Sequence, residues 1–157
     1  MSAVSITPVT PERFADLVAL IDMLAAYENL QPPSAEARAR LLNDICGPKP
    51  RVEAVLAVDA EGTALGYAIT LETYSSFLAL PTMYLEDIFV REDSRRHGVG
   101  SVLFDHVVRS ARSRGCGRVD WQVLDWNVLA RDFYERRGAE HMKEWMLYRI
   151  DLTRPSE

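Results

Sequence analysis

The run Arg95-Arg96-His97-Gly98-Val99-Gly100 has the make-up of an anion cradle. An apolar, strand-like stretch, Met83-Tyr84-Leu85-Glu86-Asp87-Ile88-Phe89-Val90, precedes it, and an amphipathic stretch beginning at Val99 follows. Glycine lets a backbone approach a ligand closely. The first N–H groups of a helix lack intrahelical acceptors and point outward at its positive end. A strand, a glycine-containing turn and a helix start therefore suit a pyrophosphate. The same strand carries two adjacent carboxylates, Glu86 and Asp87. Neighbouring strand residues point to opposite faces, so both can serve one ligand only if a bulge or splay lies nearby.

The elements that must position these groups follow from spacing. Val4 to Thr7 predicts a short strand. Thr10 is placed to cap a helix with Pro11 at its first position, and Phe14, Leu17, Val18, Ile21, Leu24 and Ala25 recur along one face. Gln31-Pro32-Pro33 ends that helix. Ser34 caps a second one through Leu41, Leu42 and Ile45, closed by Gly47-Pro48. Val52 to Val58 and Leu65 to Leu71 flank the turn Asp59-Ala60-Glu61-Gly62 and read as a hairpin. Tyr74 to Pro81 reads as an apolar loop, and Thr82 to Val90 as the strand before the cradle. The cradle helix spans about Val99 to Arg114, burying Val102, Leu103, Val107 and Ala111. Val119 to Leu124 predicts a strand, Asn127 to Arg137 a helix, and Trp145 to Leu152 a last strand, with a further short one at Glu140 to Lys143. Antiparallel hairpins followed by β-α-β units imply an α/β protein with a mixed sheet.

A chain of 157 residues with 48% apolar and 26% charged residues fits one domain of ordinary composition. No apolar run approaches the ~20 residues of a membrane span, and Met1-Ser2-Ala3-Val4-Ser5 is unlike a signal peptide. The expectation is a cytoplasmic protein without a membrane partner. Cys46 and Cys116 make no disulfide framework, and Cys116 has no base nearby in sequence to make it a nucleophile. A net charge of −5 argues against a nucleic-acid surface and mildly favours a cationic partner. His97, His106 and His141 show no metal-ligand spacing, so no metal is expected. The Gly-x-Gly-x-x-Gly spacing of dinucleotide-binding oxidoreductases is absent.

Arg95, Gly98 and Gly100 resemble the phosphate signature of the GNAT superfamily of acetyltransferases: Arg or Gln, two residues, Gly, one residue, Gly or Ala. Tyr84-Leu85-Glu86-Asp87, Val123-Leu124-Asp125-Trp126-Asn127 and Phe133-Tyr134-Glu135-Arg136-Arg137-Gly138-Ala139 tighten the match. Together they look closest to the diamine/polyamine (spermidine/spermine and thialysine) N-acetyltransferase branch, and Tyr27-Glu28 also looks like that branch. Family members often carry glycine where this chain has Arg96.

The resemblance implies the GNAT acyl-CoA N-acyltransferase fold over residues 1–157 as a single domain. Its sheet is mixed and mostly antiparallel, with a splayed cofactor cleft between the fourth and fifth strands, flanked by helices. It implies acetyl-CoA as cosubstrate, a small diamine, polyamine or lysine-like amine as acceptor, and a homodimer. An alkylamine is mostly protonated at pH 7, so attack needs deprotonation, a cost of roughly 4–5 kcal/mol there. Glu86 is the candidate to assist it, directly or through water. Glu86 and Asp87, with Tyr27 and Glu28, would line the acceptor site. Tyr134 would protonate the departing thiolate. Backbone groups of Ile88, Phe89 and Val90 would meet the pantetheine arm and the oxyanion. Arg95, Arg96, His97, Gly98, Val99, Gly100 and Ser101 would surround the diphosphate. Asn127 would hydrogen-bond the cofactor arm, or act as a plain helix cap, or both. Arg131, Arg136 and Arg137 would face the 3′-phosphate or form a solvated helix face. A GNAT enzyme for another amine (an amino acid, an aminated antibiotic or a protein amine) and a non-catalytic acetyl-CoA sensor are the alternatives.

Overall fold

The computed structural model describes residues 3–153. Residues 1–2 and 154–157, which the expected domain includes, lie outside the described residues. The chain divides into two compact units, Met1–Gln122 and Val123–Glu157.

The first unit holds β1 (Ser5–Pro8), α1 (Phe14–Tyr27), α2 (Ala35–Cys46), β2 (Glu53–Val58), β3 (Ala64–Ser75), β4 (Leu80–Val90), α3 (Val99–Ser113) and β5 (Arg118–Trp121). The strands form one sheet in the order β1-β2-β3-β4-β5. All neighbours are antiparallel except β4 and β5, which run parallel across the α3 crossover. This is the mixed sheet that the strand pattern implies, mostly antiparallel as the family resemblance implies.

Alternation sorts side chains to two layers. On one face Leu56, Tyr67, Ile69 and Phe89 pack beneath Leu17 and Leu20 of α1, with Phe14, Ile21, Leu24 and Tyr27 around them. On the other face α3 buries Val99, Leu103, Phe104, Val107 and Ala111. Gly66 makes this close packing possible: a Cβ there would meet the Phe89 carbonyl at 2.5 Å and Leu103 Cδ1 at 3.2 Å. At the far end of α3, Arg114 grips Glu53 of β2 through both guanidinium arms (2.6 and 2.5 Å).

Several boundaries differ from expectation. Thr10 does not cap α1. It precedes a 3₁₀ turn, Pro11–Arg13, its side chain makes no cap bond, and its hydroxyl bonds Glu12 instead. Ser34 does cap α2, accepting from the Ala37 N–H at 3.2 Å. Half of the expected loop Tyr74 to Pro81 is ladder, since Tyr74 pairs with Pro81 and Ser75 with Leu80, leaving residues 76–79 as the tip. Its leucines are explained by packing: Leu78 and Leu80 cover Gly117.

The second unit holds α4 (Val128–Glu135). The strands expected at Glu140 to Lys143 and Trp145 to Leu152 are not formed among the described residues. Trp145, Met146, Leu147 and Tyr148 are apolar on both faces of an extended chain, a pattern suited to a strand covered on both sides. Here they are exposed, as are Ile150 and Leu152.

Candidate active site

β4 departs from regular pleating where the carboxylates stand. Asp87 pairs with Ile69, but Leu85 pairs with Thr70, so Glu86 is an extra residue in a β-bulge. Tyr84, opposite Leu71, and Asp87, opposite Ile69, both lie on the α1 face. The bulge therefore brings Glu86 and Asp87 to that one face, where their charges act on each other. The required break in alternation is present.

Asp87 is half-buried, and its carboxyl is raised from an ordinary 3.8 to about 6, first by burial and then by the charge of Glu86. The charge of Glu28, at the C-terminal end of α1, adds to the rise; a hydrogen bond from Tyr67 opposes it. Burial also raises Glu28. Three carboxyl groups from two elements thus crowd a partly dry spot, and an ammonium group would relieve the crowding.

The Tyr67 hydroxyl donates to Asp87 Oδ2 at 3.2 Å. Tyr67 is completely buried, and burial with the nearby Asp87 charge lifts its phenol far above the ordinary range. Sequence reasoning missed this residue. Its one signal was a tyrosine in an apolar strand, whose hydroxyl must find a partner when buried. Only the hairpin register, shifted by the bulge, reveals that the partner is Asp87.

Arg95 behaves differently from a free phosphate ligand. Its guanidinium carbon lies 4.8 Å from the Tyr27 ring centre and 5.6 Å from that of Phe89, and Nε donates to the Val90 carbonyl at 3.0 Å. Its backbone N–H donates to the Glu92 carbonyl. The side chain clasps the end of α1 against the end of β4, which steadies Tyr27 and Glu28. Phe89 is part of the core beneath this clasp, so only its backbone can serve a ligand.

The turn itself has the expected geometry. Gly98, φ +82°, is the left-handed N-cap of α3, and the first intrahelical bond runs from the Val102 N–H to the Gly98 carbonyl. Val99, Gly100 and Ser101 thus present N–H groups with no acceptor inside the helix. Arg96 also has positive φ, +64°. That is why a glycine suits this position, and why arginine carries strain there. Arg96, His97 and Gly98 are exposed at the mouth of the turn. The edge of β4 beyond Leu85 is the remaining feature. Its last pairing with β5 is Leu85 to Trp121, so β4 continues through Ile88 and Val90 after its neighbour has ended. An extended thioester arm would lie along this continuation of β4.

In the second unit, Asn127 caps α4, its Oδ1 accepting from the Ala130 N–H at 3.2 Å. Tyr134 is the buried residue of α4 and meets Phe133 edge-on, ring centres 5.5 Å apart. The nearby arginines are engaged locally: Arg131 with the Asp125 carbonyl, Arg136 with Asp132, and Arg137 over the Phe133 ring. Of the expected site residues, Glu28, Glu86 and Asp87 come together, as do Tyr27, Phe89 and Arg95. Asn127 and Tyr134 belong to the other unit.

A mixed sheet with a parallel β4–β5 step, a β4 that outruns β5 and a helix-start cradle define the class. Residues 18–139 match the acetyltransferase (GNAT) family, and the chain belongs to it. By family it is an acetyl-CoA-dependent N-acetyltransferase, acting on an amine. The chain is 31% identical to the thialysine N-epsilon-acetyltransferase of Bos taurus over 87% of its length and 85% of that enzyme's. It is 48% identical to the L-ornithine N5-acetyltransferase of Arabidopsis thaliana over 54% of its length, a stretch that spans only 37% of that protein. An integron cassette protein from V. cholerae superposes with a TM-score of 0.80 at 28% identity, over 96% of this chain and 93% of the other. No helix among the described residues is long and apolar enough to cross a membrane.

Proposed function

We propose that this chain moves the acetyl group of acetyl-CoA to a primary amine of a small diamine, polyamine or lysine-like acceptor, by direct attack. The observation that carries this reading is the meeting of Glu28, at the end of α1, with Glu86 and Asp87, on the strand that leads into the cradle; burial first, and then these charges, raise the Asp87 carboxyl to about 6. Four residues of strand, about 13 Å, separate Glu86 from the end of β4. That spacing suits a cationic acceptor at one end and the anionic part of acetyl-CoA at the other. The naming of relatives for thialysine and ornithine, both diamino acids, supports the same acceptor class.

In this reading Asp87 and Glu28 bind the ammonium of the acceptor and Glu86 takes the proton of the attacking nitrogen, directly or through water. Backbone groups of Ile88, Phe89 and Val90 meet the pantetheine arm and the developing oxyanion. Gly98, Val99, Gly100 and Ser101 hold the diphosphate through N–H groups, with Arg96 and His97 beside them. Arg95 supports the turn from behind. Asn127, whose Oδ1 is committed to the cap, would meet the arm through its amide nitrogen. Tyr134 protonates the thiolate. Both units together form one domain, the protein is cytoplasmic, and two copies pair.

The test is CoA-thiol release by purified protein across diamines, polyamines, lysine analogues, amino acids, aminoglycosides and a histone-type peptide. Turnover concentrated on diamines, polyamines or lysine-like amines is expected. Turnover confined to another class would remove the acceptor assignment, and tight acetyl-CoA binding without turnover would favour a sensor.

A further inference from the structure

We propose that Tyr67 is a positioning residue for the acceptor amine: from inside the core, its phenol holds the Asp87 carboxylate, through a 3.2 Å hydrogen bond to Oδ2, in place to receive an ammonium beside Glu86 and Glu28. The inference rests on the reading of Asp87 as an acceptor-binding group. Tyr67 sits diagonally across the β3–β4 ladder from Asp87, since Tyr67 pairs with Phe89 and Ile69 with Asp87. It is completely buried among Leu17, Leu20, Leu56 and Phe89, where a phenylalanine would fill nearly the same space. Packing alone gives no reason for the hydroxyl. The Glu86 bulge gives one, because it turns Asp87 onto the face where that hydroxyl ends.

The groups around Asp87 are Glu86 on its own strand, Glu28 at the end of α1 and Tyr67 from β3, with Arg95 held nearby on Tyr27 and Phe89. Burial, Glu86 and Glu28 all favour the protonated carboxyl; the bond from Tyr67 is the influence that favours the carboxylate. Tyr67 cannot itself ionise in the working range, so it remains a donor at every relevant pH. It thereby extends to lower pH the range in which the site carries the charge that a cationic amine requires.

The experiment compares wild type, Tyr67→Phe, Asp87→Asn and the double variant. It reads kcat/KM for thialysine and for 1,4-diaminobutane from pH 5 to 9, the KM for acetyl-CoA, and the Asp87 carboxyl titration by NMR with no acceptor present. Tyr67→Phe is expected to fold, to raise the Asp87 midpoint by roughly one pH unit, and to move the acidic limb of kcat/KM with it. The loss is roughly five- to tenfold below pH 6 and fades above pH 8, with the KM for acetyl-CoA unchanged. In the Asp87→Asn background the second substitution should do nothing further. If Asp87→Asn lowers kcat/KM but Tyr67→Phe moves neither midpoint nor limb, the inference fails and the acceptor site stands. If Asp87→Asn leaves kcat/KM unchanged for both amines, the acceptor reading fails and the inference goes with it. Because the titration needs no acceptor, an unmoved midpoint overturns the inference whatever amine the enzyme uses.

Discussion

Replacing Asp87 with asparagine should make the protein more stable and less active. The folded state holds a proton on Asp87 up to about pH 6, whereas an unfolded aspartate releases it near 3.8. Between these values the folded state binds more protons than the unfolded one, so stability falls as pH rises through that window. Above it the penalty is complete, on the order of 2–3 kcal/mol. The asparagine amide would carry no charge and could still accept the Tyr67 bond. Thermal melts should therefore show a higher Tm for Asp87→Asn at pH 8, with the gain shrinking toward pH 4. A gain independent of pH would mean that ionising Asp87 in its buried, crowded place is not its source. Tyr134→Phe addresses a different role. Loss of a general acid should lower kcat by about 100-fold or more while acetyl-CoA affinity stays within about twofold. Equal loss of affinity, measured by calorimetry, would make Tyr134 a binding residue.

At the scale of elements, the strand–turn–helix from Met83 to Ser113 was legible because its parts depend on local chemistry: a glycine for a left-handed turn and a helical stripe, of which Leu103, Val107 and Ala111 are buried as expected, while Val102 is half-buried and Val99 and Phe104 are buried instead. Gly98→Ala tests that turn. A Cβ there would meet nothing within 4 Å, so the cost lies in the backbone at φ +82°. Destabilisation of about 1–2 kcal/mol is expected, a fall of roughly 3–6 °C in Tm, with a higher KM for acetyl-CoA. Arg96→Gly should do the reverse to strain at φ +64°. The relief is offset by about 0.5–1 kcal/mol of glycine flexibility, so Tm should barely move. A raised KM for acetyl-CoA would then reveal that the guanidinium touches phosphate. Other features were illegible because they are not local. The bulge at Glu86 depends on how β3 and β4 are registered, and alternation alone would have sent Asp87 to the α3 face. Tyr67 as the partner of Asp87 follows from that register. Arg95 matched the signature by type, but its side chain is claimed by Tyr27, far back along the chain and in no recognisable pattern with it.

At the scale of the whole molecule, the segment after α4 is the feature that a single copy leaves unexplained. Trp145, Met146, Leu147, Tyr148, Ile150 and Leu152 are between 64% and 89% exposed, a concentration of large apolar side chains beyond the scattered ones that any surface carries. The run reads as a strand by composition, and its two-sided apolar pattern asks for cover on both faces. A second copy is the occupant that the proposed homodimer supplies. Sedimentation velocity at micromolar concentration should then give a species of twice the 17.7 kDa chain mass. Tyr148→Asp with Ile150→Asp, which place charge in that apolar run, should shift it to monomer because an unpaired buried charge is costly at an interface. Their effect on turnover separates two roles for the pairing. If the monomeric variant keeps full kcat and KM, pairing serves only to cover the segment. If kcat/KM falls while the fold stays intact by circular dichroism, the dimer completes the acceptor site. A wild-type monomer at all concentrations would remove the dimer and leave Trp145 to Leu152 as a surface for some other partner.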